Sequence, residues 1–406
     1  MPEVGEVVAG YRLEERLGAG AMGAVFAARR GDEPRVVVKF LESQLQDIRL
    51  RERFAREGAA LARLPAHPAL VRVHEHHGEL DPPCLVMDLV PGESLAERLV
   101  GRGPFEPREA ARVARDVARG MAVVHAHGLL HRDLKPANLL RTPAGQVRIV
   151  DFGLVKDVFA SVLTAPDQLL GTGPYLAPEC WAGAPPAPEV DVFALGVTLY
   201  ELICGAPPFV GRTLDELHEA ISDGQYPPLR ERAEVPPELE AIVEQLLAPS
   251  LRYRYRSMAA CRDDLERFLH GEPIERARLT SPRGETLAPL GARLVIGSGP
   301  RADLKLAGTD AQHAQIRRRP KGYELRDLRS SSGTFRGAER LERPTQLRDG
   351  DLLRFGPVPV IVRDPRDRPA GAPFLSAPGR RRLDREAALA LLSLGDPRAS
   401  TLACEW

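Results

Sequence analysis

Short runs of alternating hydrophobic and polar residues fill most of the first 90 positions of the chain, and this period of two predicts strands. The strand-like runs are Tyr11–Leu17, Ala24–Arg29, Arg35–Phe40 and Cys84–Leu89. Between the third and fourth runs, apolar residues at 50, 54, 61 and 64 predict a helix over Leu50–Leu64. The breaker Pro91-Gly92 ends this strand-rich region.

From about residue 91 to residue 270 the pattern is mainly helical. The clearest predicted helices are Arg108–His127, Val190–Cys204 and Pro237–Leu247. A loop-rich stretch over 128–189 contains one predicted strand, Val147–Val150. The run Val190–Cys204 is the most apolar, but Glu201 interrupts it and it is shorter than the roughly 20 residues that cross a bilayer. We therefore expect a buried helix there and no membrane span.

Short strands return after Gly271-Glu272-Pro273, and helices nearly disappear. The predicted strands are Arg293–Ile296, Ala314–Arg317, Tyr323–Leu328, Leu352–Phe355 and Val358–Val362. Clusters of Gly, Ser and Asp separate them, which predicts a small β-sandwich over 273–365. Residues 366–406 are predicted to be a linker and a short C-terminal helix, because 364–380 are rich in Pro, Arg and Asp and 381–394 are amphipathic.

Composition narrows the function classes without naming one. The 406 residues are enough for two or three domains, and 56 basic residues balance 56 acidic ones, which argues against nucleic-acid binding as the main activity. Five widely spaced cysteines form no CxxC pair and suggest neither a zinc site nor a disulfide framework. The N-terminus lacks a basic region followed by an apolar stretch, so we expect a cytoplasmic protein.

The segment Leu17-Gly18-Ala19-Gly20-Ala21-Met22-Gly23-Ala24-Val25 is the first candidate for chemistry. Glycines at these spacings let the backbone approach a phosphate chain closely, although the same pattern also occurs in flexible hairpin turns. A dinucleotide-binding fold needs a helix directly after the glycines, whereas Ala24–Arg29 is strand-like. The arrangement therefore favours a hairpin lid over ATP.

Lys39 ends the strand-like run after the lid, and strand alternation places it on the same face as Val37. The chain contains 51 arginines and only five lysines, so a lysine here is a selective choice. A compact ammonium and a planar guanidinium are not interchangeable at a crowded phosphate. We expect Lys39 to reach the phosphates and Glu57, on the following helix, to hold it in place.

The strongest segment is His131-Arg132-Asp133-Leu134-Lys135-Pro136-Ala137-Asn138, which Asp151-Phe152-Gly153 follows. Phosphoryl transfer needs a carboxylate near the attacking hydroxyl, oxygen ligands for Mg²⁺, and a cation on the transferring phosphate. Asp133 can supply the first, and Lys135 can supply the last. Asn138 and Asp151 carry the hard oxygen ligands that Mg²⁺ prefers.

With these motifs in order, residues 11–270 resemble the eukaryotic-type (Hanks-type) protein kinase family, in the style of its bacterial members. The resemblance implies an α+β fold with a β-rich N-lobe over about 11–90 and a helical C-lobe over about 91–270, together forming a kinase domain over 1–272. It implies ATP and protein substrates as partners and Mg²⁺ as cofactor, with Mn²⁺ as the alternative ion. Lys135 and Thr172, in Gly171-Thr172-Gly173-Pro174-Tyr175, are similar to the residues of serine/threonine kinases.

The same resemblance assigns further positions. Met87 matches the residue at the back of the adenine pocket, and Asp88 to Val90 match the hinge. The ATP-binding set it implies is Leu17, Gly18, Gly20, Gly23, Val25, Lys39, Glu57, Met87, Asp88, Val90 and Leu140. It also implies that Ala177-Pro178-Glu179 and Asp191 shape the helical lobe, with Arg252 paired to Glu179.

Two positions depart from the kinase pattern. Val37 replaces the usual Ala on the adenine face, and Gly173 replaces a Pro, but all charged catalytic positions are intact. The two extra methyl groups of Val37 should tighten the adenine pocket without abolishing binding. The alternative interpretation is a non-catalytic scaffold that binds nucleotide and acts through its second domain.

Arg132, beside Asp133, is typical of kinases that are switched by phosphorylation of the activation loop. The candidate acceptors between Gly153 and Ala177 are Thr164, Ser161 and Thr172. We favour Thr164, because Thr172 is expected to have a structural role.

Residues 285–362 resemble a forkhead-associated (FHA) domain, a β-sandwich that reads phosphothreonine. The matching elements are Leu294-Val295-Ile296-Gly297, His313-Ala314-Gln315-Ile316, Asp327-Leu328-Arg329-Ser330, Gly333-Thr334, Leu347-Arg348-Asp349-Gly350-Asp351 and Phe355-Gly356.

The phosphate-reading positions of that family are altered here. Ser298 replaces an Arg, Asp310 and Ala311 replace Ser-Arg, and Ser332 and Arg336 replace two Asn residues. Losing the Arg removes charge-assisted bonds, and Asp310 adds like-charge repulsion, so we expect weak or no phosphothreonine binding. Arg301, Arg329 or Arg336 could compensate. A protein partner, or a contact with the kinase lobe, is the other expected role.

Two remaining motifs have plain interpretations. His74-Glu75-His76-His77 could be read as a metal site, but it lies where the kinase pattern places a surface strand and turn, so we expect a solvated edge. The run Arg317-Arg318-Arg319 is expected to be a solvated strand end, since nucleic-acid binding lacks aromatic support here.

Overall fold

We analysed a computed structural model of the chain. It describes residues 2–20, 23–41, 48–153, 173–274, 277–290, 293–319 and 322–364. The chain divides into two compact units, Met1–Ile274 and Glu275–Trp406. Within the described ranges, no helix has the length and apolar character needed to cross a membrane. The predicted linker and helix of 366–406 lie outside the described residues.

The first unit begins with a six-stranded sheet in the order β1-β2-β3-β4-β6-β5. Its strands are β1 (Val7–Val8), β2 (Tyr11–Gly20), β3 (Gly23–Arg29), β4 (Val36–Phe40), β5 (Val73–His77) and β6 (Cys84–Asp88). Alternating apolar side chains on these strands, including Phe26, Phe40 and Val86, form one buried cluster. Strand alternation in the sequence predicted β2, β3, β4 and β6, because one face of the sheet packs into the core.

The sheet curls until strands far apart in its order come into contact. The hydroxyl of Tyr11 on β2 donates to Glu75 on β5 at 2.9 Å, and the Arg30 guanidinium bonds to the same carboxylate. The hydrogen bond from Arg30 lowers the pKa of Glu75 to about 2, and burial raises the pKa of Tyr11 to about 12. The ion pair therefore closes the curled sheet.

Helix α1 (Ile48–Ala62) packs against this sheet, where the sequence predicts Leu50–Leu64. Phe54 and Leu61 on α1 are buried in the main core of the unit, together with Leu85 and Met87 from β6. The helix thereby carries Glu57 to the inner side of the sheet, facing the helical half.

The remainder of the first unit is helical. Its helices are α2 (Leu95–Arg102), α3 (Pro107–Ala126), α4 (Pro178–Trp181), α5 (Pro188–Cys204), α6 (Leu214–Asp223), α7 (Pro237–Leu246) and α8 (Met258–His270). A small sheet of β7 (Glu93–Ser94), β8 (Leu139–Arg141) and β9 (Val147–Ile149) lies among them. The apolar run Val190–Cys204 is the buried helix α5, as predicted, and it ends at Gly205 in the left-handed conformation.

A fully buried arginine joins three parts of this helical half. The Arg254 guanidinium forms two bonds with the Glu179 carboxylate, at 2.6 and 2.9 Å, and also donates to the carbonyl oxygens of Ala248 and Pro249. The expected pairing of Arg252 with Glu179 is therefore wrong. Arg252 is exposed, whereas Arg254, two residues on, points inward, and sequence spacing alone does not tell the two apart.

Replacing Arg254 with Met should lower the free energy of unfolding by about 3–5 kcal/mol, because Glu179 is left without its buried cation. Arg252→Ala is the matched control and should change stability by less than about 0.5 kcal/mol. Chemical denaturation of both variants measures the difference. Equal stability of the two would contradict the assignment.

The second unit is a β-sandwich. One sheet has the order β11-β10-β20-β19-β16-β17, and the other has the order β13-β12-β14-β15-β18. The strands are β10 (Arg278–Thr280), β11 (Thr286–Pro289), β12 (Arg293–Gly297), β13 (Leu304–Lys305), β14 (Ala314–Arg319), β15 (Gly322–Asp327), β16 (Thr334–Arg336), β17 (Glu339–Arg340), β18 (Thr345–Gln346), β19 (Leu352–Phe355) and β20 (Val358–Arg363). Ile296 and Leu325 from one sheet meet Leu279, Phe355 and Val360 from the other in a separate core.

Candidate active site

The glycine-rich segment forms the hairpin that the sequence predicts. Gly18 pairs with Val25, and Gly20 pairs with Gly23, at the end of β2 and β3; residues 21 and 22 lie outside the described ranges. Gly23 has φ +132°, a conformation that side chains rarely adopt. Open space surrounds the position where Gly18 would carry a Cβ. The described ends of these two strands therefore present backbone without side chains at Gly18, Gly20 and Gly23.

The predicted adenine-facing residues lie on adjacent strands. Val37 on β4 pairs with Met87 on β6, and Val36 pairs with Asp88. Met87 is buried, whereas Val37, Asp88 and Val90 are half-buried. Lys39 pairs with Val25 across β3 and β4, which sets it beside the glycine hairpin. The other predicted contact residues, Leu17 on β2 and Leu140 on β8, are exposed and half-buried respectively.

One buried carboxylate holds the backbone that precedes Asp133. Asp191 on α5 is 1% exposed and accepts hydrogen bonds from the amides of His131 and Arg132, at 2.9 and 2.8 Å. Arg132 has φ +64°, a sparsely populated conformation for a residue with a side chain. The two amide bonds, with a third bond from His125 at 2.8 Å, fix this strained turn in place.

Asp133, Lys135 and Asn138 form a compact polar cluster on that turn. The Asn138 amide nitrogen donates to the Asp133 carbonyl oxygen at 2.7 Å and to its carboxylate at 3.0 Å. Lys135 Nζ lies 3.2 Å from the same carboxylate, which is 8% exposed. The carboxylate is therefore oriented by a neutral donor and a cation at once.

Asp151 is brought beside this cluster by backbone hydrogen bonds. The Gly153 amide donates to the His131 carbonyl at 2.9 Å, and the Val150 amide donates to the Asn138 carbonyl at 3.0 Å. Asp133 and Asp151 each lie two residues from the first of these bonds. Asp151 adopts φ +64°, and its carboxylate pairs with Lys39 Nζ from the strand-rich lobe. Residues from distant parts of the sequence thus meet in one cleft.

Comparison with known proteins assigns the fold of each unit. The family model for the protein kinase domain matches residues 11–265. The chain belongs to the protein kinase family. A model for the FHA domain matches residues 294–356, in the second unit.

Among the relatives of this kinase is the serine/threonine-protein kinase PknA of Mycobacterium tuberculosis, 35% identical over 82% of this chain and 78% of that protein. The serine/threonine-protein kinase PknB of Mycolicibacterium smegmatis is 34% identical over 68% of this chain and 45% of its own length. The chain is a bacterial-type serine/threonine protein kinase with an FHA domain, as the sequence predicted.

Solved structures agree with this assignment. The kinase domain of Mycobacterium tuberculosis PknI matches with a TM-score of 0.54 and 29% identity, over 66% of this chain and 98% of that one. A structure of Rad53 in complex with AMP-PNP matches with a TM-score of 0.54 and 25% identity, over 63% and 64% of the two chains. Family membership implies use of ATP and a divalent cation, and the FHA domain implies a protein partner.

Lys39 and Glu57 pair with different residues from those that the sequence predicts. The sequence predicts that Glu57 holds Lys39, but the Glu57 carboxylate accepts two bonds of 2.9 Å from Arg132 and one of 3.1 Å from Arg53. Lys39 pairs with Asp151 instead. Burial raises the pKa of Glu57, while the nearby Arg53 acts in the opposite direction. A guanidinium bonds both oxygens of one carboxylate, which a lysine does less well.

The donor set fits a divalent cation. Both bonds of the Asn138 nitrogen go to Asp133, so its amide oxygen is the atom that could serve as a metal ligand. The Asp151 side chain is 43% exposed and supplies two further oxygens. Amide and carboxylate oxygens are ligands that Mg²⁺ and Mn²⁺ accept.

Sequence reasoning missed two partly buried contacts in the kinase domain. His125 bonds to Asp191, and the Tyr175 hydroxyl donates to Glu201 on α5. Burial raises the pKa of both Tyr175 and Glu201. The polar interruption of an apolar helix by Glu201 was the available signal, since a buried carboxylate needs a donor.

Several other predicted residues have plain positions. Thr164, Ser161 and Thr172 lie outside the described residues. His74 and His77, on the edge strand β5, bond to Asp88 and to Glu75 and Glu79. In the second unit, Arg301 and Arg329 are exposed, whereas Arg336 is half-buried and pairs with Asp351 at 2.8 Å.

A double-mutant cycle tests the pair between Arg132 and Glu57. The single changes Arg132→Met and Glu57→Gln and their combination should reveal a coupling of about 1–3 kcal/mol in the free energy of unfolding, because both side chains are largely buried. The exposed pair Arg29 and Glu14 is the control, with an expected coupling below about 1 kcal/mol. Equal coupling in the two pairs would rule out a specific cross-lobe contact.

Proposed function

We propose that the cleft transfers the ATP γ-phosphate to Ser and Thr hydroxyls of proteins, with Asp133 as the residue that orients the hydroxyl and takes its proton. The observation that carries this is the Asp133 carboxylate, held by Asn138 and by Lys135 Nζ at 3.2 Å. A carboxylate in this state accepts a proton from a hydroxyl that lies within hydrogen-bond distance. Lys135 then steadies the γ-phosphate as the bond to the leaving diphosphate breaks.

The phosphates are proposed to lie under the glycine hairpin. Backbone amides near Gly18, Gly20 and Gly23 approach them from above, and Lys39, beside Val25, reaches them from the strand below. Lys39 is already paired with Asp151. When nucleotide binds, its phosphates would therefore replace the Asp151 carboxylate as the partner of the Lys39 ammonium. The base is proposed to fill the space between Leu17, Val25, Val37 and Leu140, with Met87 behind it and Asp88 to Val90 bonding its edge.

Asn138 and Asp151 are proposed to hold Mg²⁺, with Mn²⁺ as the alternative ion. The bound ion neutralises charge on the β- and γ-phosphates. Glu57 is proposed to leave Arg132 and support Lys39 in the active arrangement. The alternative interpretation, a non-catalytic scaffold, is not favoured, because the match to serine/threonine kinases covers the whole catalytic segment.

We propose a kinase domain over 1–272, with lobes over about 11–90 and 91–270, and an FHA domain over 273–365, followed by a linker and a short helix over 366–406. The FHA domain docks a protein partner or regulates the kinase, with no nucleic-acid ligand.

We propose a cytoplasmic protein, since the described Cys84, Cys180, Cys204 and Cys261 are free thiols. Recovery in the membrane fraction or the periplasm would contradict that location.

Regulation by phosphorylation of Thr164 is proposed on the basis of Arg132. A phosphate carries about two negative charges and strong acceptors, so it competes with Glu57 for the Arg132 guanidinium. Release of Glu57 then allows it to pair with Lys39. The contact between Arg132 and Glu57 supports this exchange, because Glu57 would be the partner of Arg132 before phosphorylation.

Asp133→Asn should lower kcat by about 10²–10⁴-fold, since the amide cannot take the proton of the hydroxyl. Transfer of labelled phosphate to a general protein substrate measures the rate, and binding of an ATP analogue checks that the cleft remains intact. Asp32→Asn, at an exposed turn, is the matched control and should be as active as the unaltered protein. Wild-type activity of Asp133→Asn would refute the assigned role.

Thr164→Ala should lower both kinase activity and autophosphorylation, because the acceptor that draws Arg132 away from Glu57 is lost. Ser161→Ala is the neighbouring control and should keep both. Mass spectrometry after incubation with ATP identifies the modified residue. Unchanged activity and unchanged phosphate incorporation in Thr164→Ala would eliminate Thr164 as the switch.

A further inference from the structure

Two loops of the FHA domain meet at an exposed apex, and a carboxylate lies between them. Asp310, before β14, accepts hydrogen bonds from the Ser331 amide at 2.6 Å and from the Ser331 hydroxyl at 2.7 Å. These bonds lower the pKa of Asp310, so it is the charged form that the apex stabilises. An amide and a hydroxyl that converge on one anion form a small oxyanion site.

The Asp310 carboxylate is held in this site by its own backbone. The Asp310 carbonyl accepts from the Ser298 amide at 2.9 Å, and the next carbonyl, of Ala311, accepts from the Gly299 amide at 3.1 Å. The Asp310 amide donates to His313 Nδ1 at 3.3 Å, while Nε2 of that ring donates to the Gly333 carbonyl at 3.0 Å. A side chain anchored in this way occupies the Ser331 donors at little further entropic cost.

The loop that carries Asp310 also packs closely against the end of β12 and the residues that follow it. A Cβ placed on Gly297 would lie 2.5 Å from the Ala311 carbonyl oxygen, and one on Gly299 would lie 2.8 Å from the same atom. The backbone at Gly297 and Gly299 therefore lies in close contact with the backbone of Ala311. The position of Asp310 is set by close contact as well as by hydrogen bonds.

We propose that Asp310 acts as an internal substitute for phosphate, filling the oxyanion site at Ser331 so that the FHA domain does not bind a phosphate group there. A carboxylate and a phosphate present similar acceptor oxygens, and both cannot occupy one pair of donors. The charge of Asp310 also opposes a second anion. The sequence anticipates the repulsion, whereas the occupation of the Ser331 donors is visible only in the structure. This inference deepens the docking role proposed above and does not depend on catalysis.

Removal of the carboxylate should open the site. The test is binding of a fluorescent phosphothreonine peptide to the full chain after phosphatase treatment, with the unphosphorylated peptide as reference. The unaltered protein should show no preference for phosphate. Asp310→Ser should bind the phosphopeptide tighter by about tenfold or more, because the Ser331 amide and hydroxyl become available. Ser298→Arg combined with Asp310→Ser should bind tighter still, since position 298 is exposed and bonds to residue 310.

Asp310→Asn separates occupation from charge. An asparagine side chain still fills the site and keeps one acceptor oxygen for Ser331, so this variant should gain much less than Asp310→Ser. Equal gains would show that charge alone excludes phosphate and would overturn the proposal. So would phosphate-dependent binding by the unaltered protein, or failure of both serine variants to gain binding while their melting curves remain cooperative. Kinase activity of each variant, measured in parallel, should be unchanged and reports separately on the catalytic proposal.

Discussion

The catalytic segment depends on the buried carboxylate of Asp191. Its two oxygens take the amides of His131 and Arg132, and through them hold a backbone turn with positive φ at Arg132. A buried charge is stable only with such donors, and a strained turn persists only when its surroundings fix it. Here the amides of the turn supply the donors that Asp191 needs, and Asp191 fixes the turn. Asp133 and the bond from Gly153 to His131 are positioned as a consequence.

In the cleft, the burial of each carboxylate determines whether it pairs with arginine or with lysine. Glu57 is nearly buried and takes the guanidinium groups of Arg132 and Arg53, while the more exposed Asp151 takes the single ammonium of Lys39. A guanidinium satisfies both oxygens of a carboxylate and is less strongly hydrated, so it suits the drier site. We propose that this arrangement changes when nucleotide and a divalent ion bring new charges to the cleft.

In the second domain, polar groups of the loops form hydrogen bonds and ion pairs with carboxylates of the same domain. Asp351 binds Arg336, Asp327 accepts from Ser330 and Thr334, and Asp310 fills the donors of Ser331. Loops ordered by internal ligands need no external anion to hold their shape. These internal contacts are the observations behind our proposal that this domain does not bind phosphate at Ser331.

Local pattern was enough to determine much of this kinase. The period of two predicted the strands, the apolar run predicted α5, and the ordered catalytic motifs identified the family, because each depends on residues close together in sequence. Tertiary structure alone decided which side chains meet. Arg254 rather than Arg252 faces Glu179, and Arg132 rather than Lys39 faces Glu57, since such choices follow from how distant segments pack and from the relative burial of each charge.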